Sequence, residues 1–261
     1  MPELCDFMTQ QTNHSDFVPA MAEIALEAGA LLMEYFHQHL KVEYKGEADL
    51  VTVADRKSEA LILERIRAGW PSHDVLGEEG ASVETGSDYR WYVDPLDGTT
   101  NFAHGFPVFC ISLALERKGR RVAAVVYDPT REELFAAEQG SGAYLNQERV
   151  HVSKVNHLAE CLVATGFPSH KRHKNPNIFF YHQITLRTHG VRRAGSAALD
   201  LCCVACGRFD AYIERGISLW DIAAGWILVE TAGGMVDLRP RKDMKEKYSI
   251  VASNGVIDLK L

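Results

Sequence analysis

Asp94 and Asp97 are the residues of this chain that first suggest chemistry. They stand three positions apart, directly after an apolar segment, in the string W-Y-V-D-P-L-D-G-T-T-N-F that spans residues 91–102. Pro95 cannot continue a central strand, so we expect the chain to turn between the two carboxylates. Together with an exposed carbonyl such as that of Leu96, these carboxylates offer the hard oxygen ligands that Mg²⁺ prefers.

The residues after this turn are suited to binding an anion. Gly98 allows the backbone to approach a ligand closely. Thr99, Thr100 and Asn101 are good cap residues for a following helix, whose free N–H groups suit a phosphate. Strings of the type D-P-x-D-G-T are also common as simple capped turns, so this segment by itself leaves a structural and a chemical interpretation open.

Two further acidic segments bear on the choice. Glu78 and Glu79 stand between Gly77 and Gly80, after an apolar pair, and such a glutamate pair is more often a solvated loop than a site. Asp221 stands at the start of an otherwise apolar helical pattern, where a simple N-cap is the alternative interpretation.

With these three segments in view, the chain resembles the inositol monophosphatase family, a class of magnesium-dependent, lithium-sensitive phosphatases. The strings that carry the resemblance occur in family order and include two full signatures, which are far more specific than one short motif. The strings are D-L-V-T-V-A-D, G-E-E-G, W-Y-V-D-P-L-D-G-T-T-N-F, A-G-S-A-A-L-D, Y-I-E-R-G-I-S-L-W-D and W-D-I-A-A-G-W. The resemblance extends from about Phe17 to the C-terminus, and the bacterial inositol-1-monophosphatase branch fits best in length and spacing.

The resemblance implies a ligand set for two or three Mg²⁺ ions, namely Glu78, Asp94, the Leu96 carbonyl, Asp97 and Asp221. It also implies substrate contacts from Leu96, Asp97, Gly98, Thr99, Gly195, Ser196, Ala197, Glu214 and Asp221. In these assignments the N–H groups of Gly98 and Thr99 hold the phosphate, and Glu214 belongs to the sugar-alcohol pocket.

The catalytic residues implied by the resemblance are Asp55, Thr99 and Glu78. In this assignment Asp55 accepts a hydrogen bond from the Thr99 hydroxyl, and the pair takes the proton of the attacking water. The physical chemistry agrees, because paired metals stabilise both ends of an in-line displacement and no covalent nucleophile is needed. Asp55 has a second interpretation, since Thr52 and Asp55 also have the spacing of a capping-box variant.

The surrounding elements predict a layered α/β or α+β sandwich of alternating helix and sheet layers, the sugar-phosphatase fold. Apolar periodicity and turn signals predict helices near 17–39, 53–68, 196–208 and 221–232, and strands near 90–93, 108–116, 121–127, 133–137, 142–145, 211–214, 236 and 250–252. We expect one domain over residues 1–261, with two tightly packed lobes of about 1–152 and 153–261.

Composition excludes several classes of function. The chain has 261 residues, with 28 Lys and Arg against 35 Asp and Glu, which gives a net charge of −7. That charge argues against nucleic acid and anionic membranes, and the short basic run of residues 170–174 is typical of a solvated loop. Eleven histidines without ligand spacing argue against a histidine-based metal site.

The N-terminus does not read as a signal peptide and no apolar segment is long enough to span a bilayer, so we expect a cytoplasmic protein. Six cysteines indicate a reducing compartment, and the C-x-x-C of Cys203 and Cys206 favours a buried helix over a metal site. The family suggests a homodimer.

The sequence therefore predicts Mg²⁺-dependent hydrolysis of a small alcohol or sugar phosphate, with myo-inositol 1-phosphate as the best candidate. Fructose 1,6-bisphosphate, adenosine 3′,5′-bisphosphate and histidinol phosphate are rival substrates within the superfamily. Thr100 after the D-G-T triplet argues against the nucleotide and histidinol-phosphate branches, which usually have lysine there. A regulatory binding protein on the same scaffold is the alternative from another class.

Overall fold

The computed structural model of the protein describes residues 17–36, 43–44, 50–80, 82–167, 175–242 and 244–259. The α-helices in these residues are α1 (Phe17–Phe36), α2 (Val53–Gly69), α3 (Thr99–Ala103), α4 (Pro176–Thr185), α5 (Ala197–Ala205) and α6 (Leu219–Thr231). None of the described helices has the length and apolar character needed to cross a bilayer.

The strands form three sheets. They are β1 (Glu43–Tyr44), β2 (Leu50–Val51), β3 (Asp74–Gly77), β4 (Ser82–Val83), β5 (Tyr89–Asp97), β6 (Cys110–Arg117), β7 (Arg120–Asp128), β8 (Glu133–Glu138), β9 (Gly142–Leu145), β10 (Glu148–Val150), β11 (Leu162–Thr165), β12 (Gly190–Arg192), β13 (Ala211–Ile217), β14 (Met235–Pro240) and β15 (Tyr248–Ser253). The small sheet pairs β1 with β2, the eight-stranded sheet has the order β10-β9-β8-β7-β6-β5-β3-β4, and the five-stranded sheet has the order β12-β11-β13-β15-β14.

Three hydrophobic clusters stack these elements into five layers. Helices α1 and α2 cover one face of the eight-stranded sheet, where Met21 and Ile62 pack on Trp91. Helices α5 and α6 lie between the two large sheets, and their Leu201 and Leu228 share a core with both. Helix α4 covers the far face of the five-stranded sheet. The layered α/β prediction is therefore confirmed.

Strand β5 shows why the large sheet is apolar on both faces. Side chains alternate between the faces of a strand. Trp91 and Val93 accordingly pack toward α1 and α2, whereas Tyr92 packs toward α5 and α6. Asp94 has the same parity as Tyr92, so the strand directs its carboxylate toward α6.

The predicted elements around the site are present, with informative differences at their ends. Strand assignment continues through Pro95 to Asp97, because a bulge between Asp94 and Asp97 lets the chain bend without leaving the sheet. The prediction that Thr99, Thr100 and Asn101 cap the next helix is wrong. They lie inside α3, and Gly98 takes the N-cap position with a φ of 99°.

The large helices fit the predictions, although Asp221 is not an N-cap. Ser218 caps α6 and Asp221 occupies the third helical position. Helix α1 ends the described segment at Phe36, so the predicted continuation to residue 39 lies outside the described residues, as does the basic run of residues 170–174. The predicted lobe boundary near 152–160 falls between β10 and β11, and the single-domain organisation stays a prediction.

Candidate active site

Three carboxylates from distant parts of the chain meet between the two large sheets. One oxygen each of Glu78, Asp94 and Asp221 lies within 4.8 Å of the others. Asp94 is 1% exposed, whereas Glu78 and Asp221 are half-buried. Within the described residues, this is the one group of three or more His, Cys, Asp or Glu side chains whose ligand atoms are close enough to hold a metal ion together.

Two neighbouring parallel strands deliver Glu78 and Asp94. Strands β3 and β5 pair in parallel, with Gly77 opposite Val93, so their carboxyl ends meet at the same edge of the sheet. The N–H of Glu78 donates to the Val93 carbonyl at 3.3 Å, which fixes the residue that follows β3. At the bulge, Leu96 N–H donates to Asp94 Oδ1 at 3.1 Å and sets the orientation of that carboxylate.

A capping box on α6 brings in the third carboxylate. The N–H of Ser218 donates to Asp221 Oδ2 at 2.9 Å, which satisfies one of the donors left free at the start of a helix. The same bond holds the carboxylate of Asp221 at the N-terminal end of α6, facing the end of β5. Asp221 therefore stabilises the start of α6 and also contributes a carboxylate to the cluster.

The electrostatics of the cluster favour a bound cation. Burial raises the pKa of Asp94 well above its ordinary value, and the nearby carboxylates of Glu78, Asp97 and Asp221 raise it further. Buried like charges are stabilised when they coordinate a metal. The donor set consists of hard oxygens without histidine or cysteine, so it fits Mg²⁺ better than Zn²⁺ or copper.

Asp97 lies beside this trio and has partners of its own. Its Oδ2 accepts from the Ser196 hydroxyl and from Ala198 N–H, both at 2.7 Å. Burial raises the pKa of Asp97, although these donors oppose the shift. Asp97 therefore anchors the start of α5 through Oδ2, and the residue also lines the pocket.

Asp55 and Thr99 are paired as the sequence predicts. The Thr99 hydroxyl donates to Asp55 Oδ1 at 3.0 Å and has the Leu96 carbonyl at 3.1 Å. The other oxygen of Asp55 accepts from Thr52 N–H at 2.8 Å and from the Thr52 hydroxyl at 2.6 Å, completing a capping box at the start of α2. Asp55 thus fulfils both interpretations of its sequence, since one oxygen caps the helix and the other holds Thr99. Burial raises its pKa.

Gly98 has a steric reason for its identity. Its φ of 99° is in the left-handed region, and a Cβ built on it would lie 2.8 Å from the Val108 carbonyl oxygen. Any side chain here would push the loop away from Val108 and Phe109, which lead into β6. The glycine therefore allows the chain to turn tightly from the metal-ligand loop into α3.

Glu214 forms another wall of the pocket. It lies on β13, is buried, and accepts a hydrogen bond from the Tyr212 hydroxyl. Burial raises the pKa of Glu214 to about 7. A Cβ on Gly166 would lie 1.7 Å from Glu214 Oε2, so only glycine leaves room for this carboxyl group.

These groups surround one cavity of about 290 Å³. Its lining includes the predicted site residues Glu78, Asp94, Leu96, Asp97, Gly98, Thr99, Gly195, Ser196, Ala197, Glu214 and Asp221. Asp55 does not line it and reaches it through Thr99.

Sequence reasoning did not assign the other lining residues to the site, and these include Gly166, Arg193, Asp200, Tyr212 and Lys247. A strand period of two could have found Tyr212, because it shares a face with Glu214. No short motif marks Gly166, Arg193 or Lys247.

Comparison with known proteins agrees with this geometry. The family model described as "Inositol monophosphatase family" matches residues 13–260. A protein of Mesorhizobium japonicum named inositol-1-monophosphatase is 43% identical, with 93% of each chain covered. A protein of Pseudomonas aeruginosa named Nus factor SuhB is 42% identical, with 90% of this chain and 91% of the relative covered.

A solved structure of inositol monophosphatase from Anabaena (Nostoc) is 43% identical and superposes with a TM-score of 0.82, covering 94% of this chain and 93% of that chain. The chain is therefore similar to these proteins in both sequence and fold over most of its length. The chain belongs to the inositol monophosphatase family.

Proposed function

We propose that the protein is a Mg²⁺-dependent phosphatase that hydrolyses a phosphate monoester of a small polyol, with myo-inositol 1-phosphate as the preferred candidate. The observation that carries the proposal is the meeting of Glu78, Asp94 and Asp221 at the pocket that Glu214 also lines. The full ligand set in this proposal adds Asp97 and the Leu96 carbonyl and accommodates two or three Mg²⁺ ions.

Bound Mg²⁺ would supply positive charge to the phosphate and make the attacking water more acidic. The chain's own residues prepare the rest of the reaction. Because the Thr99 hydroxyl donates its hydrogen to Asp55, its oxygen lone pairs are free to accept the hydrogen of a water molecule. The raised pKa of Asp55 makes it a better acceptor for the proton that the water loses.

Substrate recognition in this proposal belongs to the opposite wall. Glu214 presents a carboxyl group to the cavity and suits hydroxyl groups better than a second phosphate, which it would repel. The relatives named inositol-1-monophosphatase support an inositol phosphate as the substrate. Fructose 1,6-bisphosphate is the alternative substrate, and a substrate panel decides between them.

The test is release of inorganic phosphate from myo-inositol 1-phosphate, 2-glycerol phosphate and fructose 1,6-bisphosphate. We expect turnover with Mg²⁺, loss of turnover with EDTA, and the highest kcat/KM for the inositol phosphate. Purified protein that released no phosphate from any of these esters in Mg²⁺ would contradict the proposal.

A regulatory binding function is the second candidate, because relatives in several bacteria bear the name Nus factor SuhB. The Asp94→Asn variant separates the two functions, since it removes one negative charge from the cluster and preserves the shape of the side chain. If cells that carry this variant keep the full biological activity without phosphatase turnover, the regulatory function is the physiological one. If the cells lose the biological activity together with phosphatase turnover, hydrolysis is the physiological function.

The proposal includes a cytoplasmic homodimer. The side chains of Phe179 and Leu186, on and next to α4, are 69% and 75% exposed, and Ile178 on the same helix is exposed as well. Exposed apolar residues that occur together are typical of protein–protein interfaces. Cys110, Cys161, Cys202, Cys203 and Cys206 are free, which fits a reducing compartment. Light scattering of the wild type and a Phe179→Ser variant tests the dimer, which we expect the substitution to weaken.

A further inference from the structure

Asp200 is a buried carboxyl group with no hydrogen-bond partner in the part of the chain that the structure describes. It lies in the first turn of α5 and is 2% exposed. Buried polar side chains are nearly always hydrogen-bonded, so an exception calls for a specific explanation. The small open part of Asp200 belongs to the lining of the active-site cavity.

The groups around Asp200 restrict what it can bind. Burial raises the pKa of Asp200 well above its ordinary value, and the nearby carboxyl groups of Asp97 and Glu214 raise it further. Arg193 is the positively charged group that acts on it in the opposite direction. An anionic ligand would be repelled here, whereas a neutral hydroxyl group can both donate to and accept from a carboxyl group.

Asp210 shows that burial alone does not produce this situation. It is 5% exposed, yet it accepts hydrogen bonds from Leu162 N–H at 2.7 Å and from the Ser153 hydroxyl at 2.5 Å. The protein therefore supplies donors to Asp210 and leaves Asp200 facing the cavity.

We propose that Asp200 is a further substrate-binding residue, which forms a hydrogen bond with a hydroxyl group of the polyol on the wall shared with Glu214. This inference rests on the proposed phosphatase function and adds a residue to its recognition of the alcohol. Asp200 is expected to act on the binding of hydroxyl-rich esters and not on the hydrolysis step itself.

The experiment compares two substrates in three variants with Mg²⁺ present. The substrates are myo-inositol 1-phosphate, which is rich in hydroxyl groups, and p-nitrophenyl phosphate, which has none. The variants are Asp200→Leu, which removes the hydrogen bond and keeps the branched shape, Asp200→Asn, which retains a donor and an acceptor, and Asp210→Asn as the matched buried control.

We expect Asp200→Leu to raise KM for the inositol phosphate about tenfold, as for loss of one good hydrogen bond, with kcat/KM for p-nitrophenyl phosphate unchanged. Asp200→Asn should restore most of the lost selectivity. Neither Asp200 variant should lower the midpoint of thermal unfolding, whereas Asp210→Asn should lower it and keep the selectivity between the two esters.

Two results would overturn the inference alone while the wild type still hydrolyses both esters. One is unchanged selectivity in Asp200→Leu, and the other is an equal loss on both substrates, which indicates a structural role. If the wild type has no Mg²⁺-dependent turnover on either ester, the proposed function fails and this inference fails with it.

Discussion

Two buried aspartates of the eight-stranded sheet, Asp74 and Asp94, have opposite surroundings. Asp74, near the edge of the eight-stranded sheet, accepts from Thr85 N–H at 2.7 Å and from the Thr85 hydroxyl at 2.9 Å. These donors hold its pKa at about 2. Asp94, on the adjacent strand β5, faces other carboxylates, and burial together with these carboxylates raises its pKa.

The difference separates stabilising acids from functional ones. A carboxylate that the protein's own donors satisfy adds to stability at neutral pH. A carboxylate that faces other carboxylates is costly to the folded protein until a cation joins it. Matched variants of the two kinds of acid test this contrast.

The largest expected effect is on turnover in Asp94→Asn. Loss of one negative ligand should lower kcat/KM about a thousandfold, equivalent to about 4 kcal/mol of transition-state stabilisation. Without Mg²⁺ the variant should unfold at the same temperature as the wild type or higher, because it removes like-charge repulsion. If the variant without Mg²⁺ is less stable than the wild type without Mg²⁺, Asp94 is itself a stabilising acid and the distinction from Asp74 is wrong.

Mg²⁺ itself should stabilise the wild type. At about 100 times its Kd, a ligand that binds only the folded state raises the free energy of unfolding by about 2.7 kcal/mol. Urea denaturation with and without Mg²⁺ measures the increment, which we expect Asp94→Asn to lose and Asp74→Asn to retain. An equal increment in both variants would mean that the cation binds elsewhere.

The Asp74→Asn variant should be less stable by about 2 kcal/mol at pH 7, with unchanged kcat/KM. The folded-state pKa of Asp74, about 2, lies below the unfolded value of roughly 3.9. Its contribution is therefore present above about pH 4 and is lost as the pH falls toward 2. Denaturation curves over this range should converge, and a difference that persists at pH 2 would show that the charge is not the cause.

The smallest effect is expected at the surface pair of Arg208 and Glu133. Both guanidinium nitrogens lie 2.6 Å from the carboxylate oxygens, but the arginine side chain is 43% exposed. Arg208→Met should cost less than about 1 kcal/mol, and less still at high salt. A loss as large as that of Asp74→Asn would show that exposure does not distinguish these acids.

Sequence patterns predicted the parts of the site that depend on local chain geometry. The bend after β5, the capping-box spacing of Thr52 and Asp55, and the acidic start of α6 are all readable within a few residues. The layered fold followed from periodicity, although several short strands were missed because two to four residues are too few to show a pattern. The missed strands are β1, β2, β3, β4, β10, β11 and β12, and helix α4 was not predicted either. The family resemblance supplied the grouping of the acids.

Features that depend on packing between distant segments were not predictable in this way. Gly166 is required because Glu214 occupies its side-chain space from a neighbouring strand. Asp200 has no sequence signal for its lack of a donor, since only the tertiary structure determines which groups reach it. Ser218 rather than Asp221 is the cap of α6, because the helix begins two residues earlier than the apolar pattern indicates.

The acidic trio joins residues that are far apart along the chain, since Glu78 follows β3 whereas Asp221 lies in the first turn of the last helix of the described residues. Bringing these segments together requires closing a long loop, so the trio forms only when the layers have docked. A cation that binds the trio then has no partner in the early stages of folding. The bound cation should therefore lower the rate of unfolding and leave the rate of folding almost unchanged. In this way the metal would increase the kinetic stability of the native state without speeding its formation.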